Sequence, residues 1–309
     1  VTGSGQTEVR SGTALVTGAS SGIGAELAVR FAREGHDVVL VGRSAERLAR
    51  VAQRIACETR AQSDIIIADL AADGAVEEIA AALQRLRLAP AFIVNAAGFG
   101  LFGNAGKLSV SEQLSIITVN CRALTELTLR LLPSAVEQGG GVLNVGSVGG
   151  FFPGPGMAVY FASKAYVQSV TQALRSEYFG TGLRVSALCP GPVATAFQGR
   201  ARMVAPRMPR LLRRDAESVA LAGYRGLMRN RAVVVPGFWN LLMVAAGGVI
   251  FHRAFVSFVR RYHLGRRARN RHAETKPVPH VAQRQRFMPA PVGKLPTRHI
   301  LLRDKRAVK

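Results

Sequence analysis

Near the start of the chain a short apolar run opens into a glycine loop and then into a helix. No other stretch limits the fold as much. Thr13-Ala14-Leu15-Val16-Thr17 reads as a buried strand. It passes into Gly18-Ala19-Ser20-Ser21-Gly22-Ile23-Gly24, and a helix over 25–34 then runs to Gly35, its expected stop. A strand feeding a helix through glycines is the entry to a dinucleotide-binding sheet. Gly18 allows the tight turn, Gly22 lets backbone approach a pyrophosphate, and Gly24 lets helix lie on strand. Unbonded N–H groups and the positive dipole end at the helix start then favour phosphate. The spacing is Gly-x-x-x-Gly-x-Gly rather than Gly-x-Gly-x-x-Gly, and a plain flexible turn is the competing reading.

Strand-like and helical runs then alternate. Strands are expected at 37–41, 65–67, 92–94, 142–145, 183–188 and 232–235, with helices at 44–60, 74–86, 111–138, 160–178 and 215–229. That order predicts an α/β fold: one doubly wound Rossmann domain over 12–237 with a seven-stranded parallel sheet. Residues 1–11 read as a disordered leader without an apolar signal segment.

An NAD site wants a carboxylate at the end of the second strand for the ribose 2′-hydroxyl. Gly42, Arg43 and Ser44 stand there instead. Arg43 suits a 2′-phosphate through a charge-assisted contact, so NADP is expected over NAD; a solvent-facing arginine is the alternative. Asp69, followed by Leu70, reads equally as an acceptor for the adenine amino group or as a capping aspartate. The small residues of Asn95-Ala96-Ala97-Gly98 let backbone lie against a cofactor.

Tyr160 and Lys164 are four residues apart, hence on one helix face. A phenol titrates near ~10, and an ammonium beside it favours the phenolate. The pair is a candidate acid/base for an alcohol oxygen, although the same spacing also arises as a packed ring beside a solvated amine. Asn120 lies inside a helical stretch, where asparagine is a poor choice, and a kink there is expected.

These pieces together resemble the short-chain dehydrogenase/reductase family. The resemblance rests on Thr17-Gly18-Ala19-Ser20-Ser21-Gly22-Ile23-Gly24, Asn95-Ala96-Ala97-Gly98, Asn120, Ser147, Tyr160-x-x-x-Lys164 and Pro190-Gly191-Pro192-Val193-x-Thr195, over roughly residues 12–240. The second asparagine of the family's Asn-Asn-Ala-Gly is Ala96 here, and Ser21 stands where a basic residue would precede Gly22. The resemblance implies that Tyr160 trades a proton with the carbonyl or hydroxyl oxygen and that Ser147 holds that oxygen. It implies that Lys164 lowers the tyrosine pKa and binds the nicotinamide ribose, and that Asn120 orders a water. Pro190, Gly191, Val193 and Thr195 would flank the nicotinamide. Arg43 resembles the family's NADP-preferring members.

Phe99, Leu101, Phe102, Phe151, Phe152, Met157 and Phe197 form the expected greasy wall for an apolar ketone or secondary alcohol, with 196–214 as a substrate lid. A non-catalytic nucleotide-binding or membrane-associated scaffold is the reading from another class. The scattered Cys57, Cys121 and Cys189 have no metal-ligand spacing and argue for a reducing, cytoplasmic compartment; no metal is expected.

Residues 238–262 are mostly apolar, but their uninterrupted part, Leu241 to Phe251, is about 11 residues, short of the ~20 needed to span a bilayer. They read as an oligomer contact in a homodimer or homotetramer, or as a helix on an anionic membrane surface. The tail 263–309 is basic, proline-bearing and expected to be mostly disordered. It contributes much of the net charge of +22. No aromatic interleaving supports base stacking, so nucleic acid is the least favoured partner.

Overall fold

The structure is a computed structural model, and it describes residues 12–193, 214–249 and 297–301. The seven expected strands are present: β1 (Ala14–Thr17), β2 (Val38–Gly42), β3 (Ser63–Ile67), β4 (Phe92–Asn95), β5 (Gly141–Val145), β6 (Arg184–Leu188) and β7 (Val233–Val234). All pair in parallel. Residues Thr297–Leu301 add β8 beside β3, so the sheet order is β7-β6-β5-β4-β1-β2-β3-β8. Within the basic tail, this segment, Thr-Arg-His-Ile-Leu, pairs with the open edge of β3. The remainder of 263–309, the leader 1–11 and most of the lid lie outside the described residues.

Helices cover both faces of the sheet. They are α1 (Gly22–Arg33), α2 (Ala45–Glu58), α3 (Ala75–Leu86), α4 (Val110–Ile117), α5 (Leu124–Glu137), α6 (Ala158–Glu177), α7 (Ala216–Met228) and α8 (Phe238–Val249). Strand alternation sorts the core. Ala14, Val16, Val38 and Leu40 face α1, α2 and α7, whereas Leu15, Val39 and Val41 face α3, α5 and α6. Both layers are predominantly apolar, which is why the strands read as near-continuous hydrophobic runs. The chain reverses direction across the sheet between β1 and β4, and this opens a crevice at the carboxyl ends of the strands.

Local signals set the helix ends. Ser44 accepts the Arg47 N–H and caps α2. Gly35, at φ 88°, closes α1: its N–H donates to the Ala32 carbonyl and the His36 N–H donates to that of Phe31. The expected helix 111–138 is one helical run whose middle, Thr118–Ala123, widens into a π-helical segment. Asn120 lies in that segment, so the kink foreseen from a poor helix former takes the form of an extra residue per turn.

Candidate active site

The glycine loop leaves β1 tightly. Gly18 and Gly22 take positive φ values of 68° and 59°, which only glycine tolerates easily. A Cβ on Gly24 would lie 2.4 Å from the Gly18 carbonyl oxygen, so α1 touches the loop backbone. Thr17 Oγ1 accepts the N–H groups of Ala96 and Ala97, both at 3.1 Å, which binds the β1 and β4 exits together. Ser20, Ser21 and Ile23 lie half-buried along this loop. The first turn of α1 carries no acidic residue, so nothing opposes an anion at its N-terminus.

Arg43 and Asp69 stand at the exits of β2 and β3. Their charged groups are 3.8 Å apart and both side chains are well exposed, so the pair is loose and weak. Asp69 also caps its own loop by accepting the Ala71 N–H, which favours its capping role. Leu70 is buried in the core layer. Asn95 turns away from the crevice: its amide donates to Thr128 and Asn144, each at 2.8 Å, and Asn144 donates on to Thr171. This buried, satisfied network joins β4, β5, α5 and α6. Ala96, Ala97 and Gly98 therefore present the backbone, whereas the Asn95 side chain braces the sheet.

Tyr160 and Lys164 open α6 beside β5. The Lys164 ammonium donates to the Val145 carbonyl at 2.7 Å and sits 5.9 Å from the centroid of the Tyr160 ring. Ser147 follows the end of β5. Its Oγ accepts the Gly149 N–H at 3.0 Å, and its hydroxyl hydrogen-bonds the Tyr160 phenol, which favours the phenolate. Gly100 lies flat under the Tyr160 ring: a Cβ there would meet ring carbons at 2.8 Å.

Burial governs the electrostatics of this pair. Burial pushes the Tyr160 phenol up to about 12, the Ser147 bond pulling the other way. Burial likewise draws Lys164 down to about 8. Desolvation dominates both groups.

Asn120 is held on three sides. Phe99 N–H donates to its Oδ1 at 3.1 Å, and its Nδ2 donates to the Phe99 carbonyl at 3.0 Å and to Ser163 Oγ at 2.9 Å. Ser163 Oγ donates in turn to the Tyr160 carbonyl at 2.7 Å. A Cβ on Gly98 would lie 3.1 Å from Asn120 Oδ1 and 3.3 Å from Lys164 Nζ, so the two side chains flank one point. Ser163 was not singled out from sequence. Its place three residues after Tyr160, where a serine reaches back to a backbone carbonyl, was the available signal.

The expected wall divides. Leu101 and Met157 line a small recess beside Tyr160, together with Leu108, Gln113 and Ile116. Phe99 is half-buried and packs against the core layer. Phe151 and Phe152 stack on each other, with centroids 6.3 Å apart, on the turn after Ser147. Phe102 is half-buried. Pro190 and Val193 are buried and Gly191 is half-buried at the β6 exit. Asn240, from α8, approaches Gly191 so closely that a Cβ there would meet its amide at 2.4 Å. Thr195 and Phe197 lie outside the described residues. Among the described residues no cluster of His, Cys, Asp or Glu could hold a metal ion.

The short chain dehydrogenase family model matches residues 12–204. Sulfoacetaldehyde reductase 2 of Chromohalobacter salexigens is 36% identical over 188 residues, covering 59% of this chain and 73% of the relative. A short-chain dehydrogenase from Sphingobium yanoikuyae, solved in complex with NADPH, superposes with TM-score 0.68 at 32% identity, covering 89% of this chain and 100% of that one. The bulky-bulky ketone specific alcohol dehydrogenase of Comamonas testosteroni gives TM-score 0.64 at 29% identity, covering 88% and 97%.

Proposed function

The chain belongs to the short-chain dehydrogenase family, and from that premise we propose that it uses NADP to interconvert an apolar ketone and its secondary alcohol. Oxidoreductase chemistry between CH–OH and C=O is the family's own; the substrate class, the preference for NADP and the role of Tyr160 are our reading. The observation that carries it is the meeting of Ser147, Tyr160, Lys164 and Asn120 at the carboxyl edge of the sheet, beside the glycine loop.

The site fits a nicotinamide dinucleotide. The N-terminus of α1 accepts the pyrophosphate behind Gly18, Gly22 and Gly24. Arg43 meets a 2′-phosphate, and Ala97, Gly98, Gly191 and Val193 leave room for the nicotinamide end. Bound NADP supplies or accepts the hydride. The residues of the chain manage the oxygen. Ser147, already accepting from Gly149, directs its own proton toward the substrate oxygen and holds it against Tyr160. Tyr160 gives its proton to a carbonyl oxygen in reduction and takes one from a hydroxyl in oxidation. A phenol at about 12 is protonated at neutral pH, which suits reduction. Lys164 holds positive charge beside the site and Asn120 fixes the Phe99 loop against α6. Leu101 and Met157 offer apolar contact to the substrate.

The exposed Val110, Leu114 and Ile117 on α4, with Leu129 and Tyr166, supply an apolar stripe for a second copy, consistent with a homodimer or homotetramer.

The test is NADPH oxidation across ketones of rising chain length, with Tyr160→Phe beside the parent. We expect kcat/KM to rise with apolar length and to fall by about 10²- to 10⁴-fold in the variant, with NADPH binding retained. Full activity in Tyr160→Phe refutes the assignment, and tight NADPH binding with no turnover on any carbonyl favours a scaffold.

A further inference from the structure

The helix α8 carries apolar side chains on the wrong side for a core. At 100° per residue, Phe238, Leu241, Leu242 and Ala245 fall on one face and Asn240 on the opposite one. Asn240 is the buried member, 1% exposed, donating to the Pro236 carbonyl at 2.9 Å and packed on Gly191. Phe238 is 67% exposed and Leu241 52%, and Trp239 and Leu242 are also exposed. Phe238 and Trp239 meet edge to face at 5.6 Å. The polar residue thus anchors the helix and the aromatic and aliphatic residues look outward. The helix packs on the Val148–Phe151 turn that follows Ser147, so it stands beside the site. The sequence directly beyond is strongly charged: between 250 and 272 there are seven arginines and no aspartate or glutamate.

We propose that this face of α8 is a contact for an anionic phospholipid bilayer, placed so that an apolar substrate passes between the lipid and the crevice. Two properties favour lipid over a second copy. An aromatic pair with adjacent leucines is the composition that settles at a headgroup boundary. The arginines that follow would repel their own copies across a symmetric interface, whereas anionic headgroups neutralise them. No helix among the described residues is long and apolar enough to cross a membrane, so the contact is with one surface. The route for substrate rests on the reading of the site as acting on an apolar carbonyl; the contact itself does not.

Trp239 is the single tryptophan of the chain, so the fluorescence of the full-length protein reports this face alone. Vesicles of phosphatidylglycerol and phosphatidylcholine in equal parts should shift its emission to the blue and sediment the protein. Binding should be weaker by about tenfold or more on phosphatidylcholine alone, and weaker again in high salt. The double variant Phe238→Ser, Leu241→Ser should keep NADPH binding and lose about tenfold or more in vesicle affinity. Emission that does not move with anionic vesicles overturns the proposal without need of a variant. Vesicle binding unchanged in the double variant overturns it as well. So does a blue shift that tracks protein concentration without lipid, which assigns the face to a second copy. Vesicle binding by a protein that reduces no carbonyl upholds the contact and sinks the apolar-ketone reading.

Discussion

Lys164 donates to the Val145 carbonyl at 2.7 Å while its ammonium is almost wholly buried. One backbone oxygen replaces the water that a free ammonium would have, and that exchange is incomplete. The lysine therefore falls from 10.5 to about 8. Removing the charge should relieve the fold. Between pH 8 and 10.5 the unfolded chain binds a proton that the native one lacks, so stability rises with pH there, and below 8 the penalty is fully present. Lys164→Met should raise the thermal midpoint at pH 7 by a few degrees, on the order of 1–3 kcal/mol, while turnover is lost. A lower midpoint in thermal denaturation would count against this account.

The same two shifts set the pH profile of reduction. With the phenol held near 12 and the lysine near 8, Tyr160 stays protonated across the working range and Lys164 is the first of the pair to change. The kcat/KM for ketone reduction should decline as pH rises through about 8. A profile flat to pH 10 would show that the lysine charge does not matter in the free enzyme.

His36 is buried against Phe31, Phe92 and Tyr224, its ring nitrogens meeting the Gly12 carbonyl and the Tyr224 hydroxyl, each at 3.1 Å. Burial lowers its pKa from 6.5. The unfolded chain then takes up a proton that the native one refuses, so stability should fall as pH drops below 6.5. Urea midpoints at pH 7.5 and 5.5 should differ more in the parent than in His36→Gln.

Arg43 is exposed at the end of β2 with only a loose contact to Asp69. Arg43→Ala should raise KM for NADPH by about ten- to a hundredfold, the worth of a charge-assisted hydrogen bond, and leave NADH nearly unchanged. Equal effects on both cofactors would remove the arginine from the 2′-phosphate site.

Gly24 leaves no room for a methyl group beside the Gly18 backbone. Gly24→Ala should lower stability by about 1–3 kcal/mol and weaken binding of either dinucleotide, read by calorimetry. Normal cofactor affinity in that variant would mean the loop can shift without loss.

The sequence by itself determined the alternation of strands and helices, the parallel sheet, and the identity of the residues at its carboxyl edge. Apolar periodicity and glycine spacing are local, and they survive being read one stretch at a time. Asn120 is the clearest case: its misfit in a helix marked the place where the helix opens into a π segment. Tertiary structure decided what those residues face. It turned the Asn95 amide into the Thr128, Asn144 and Thr171 network, tied Lys164 to Val145, laid Phe99 against the core and Leu101 at the recess, and brought Asn240 onto Gly191. It also set burial against the Ser147 hydrogen bond at the phenol. A shifted pKa depends on how much water is removed and on which acceptor holds the neighbouring charge, and both are fixed only when distant segments close around the group.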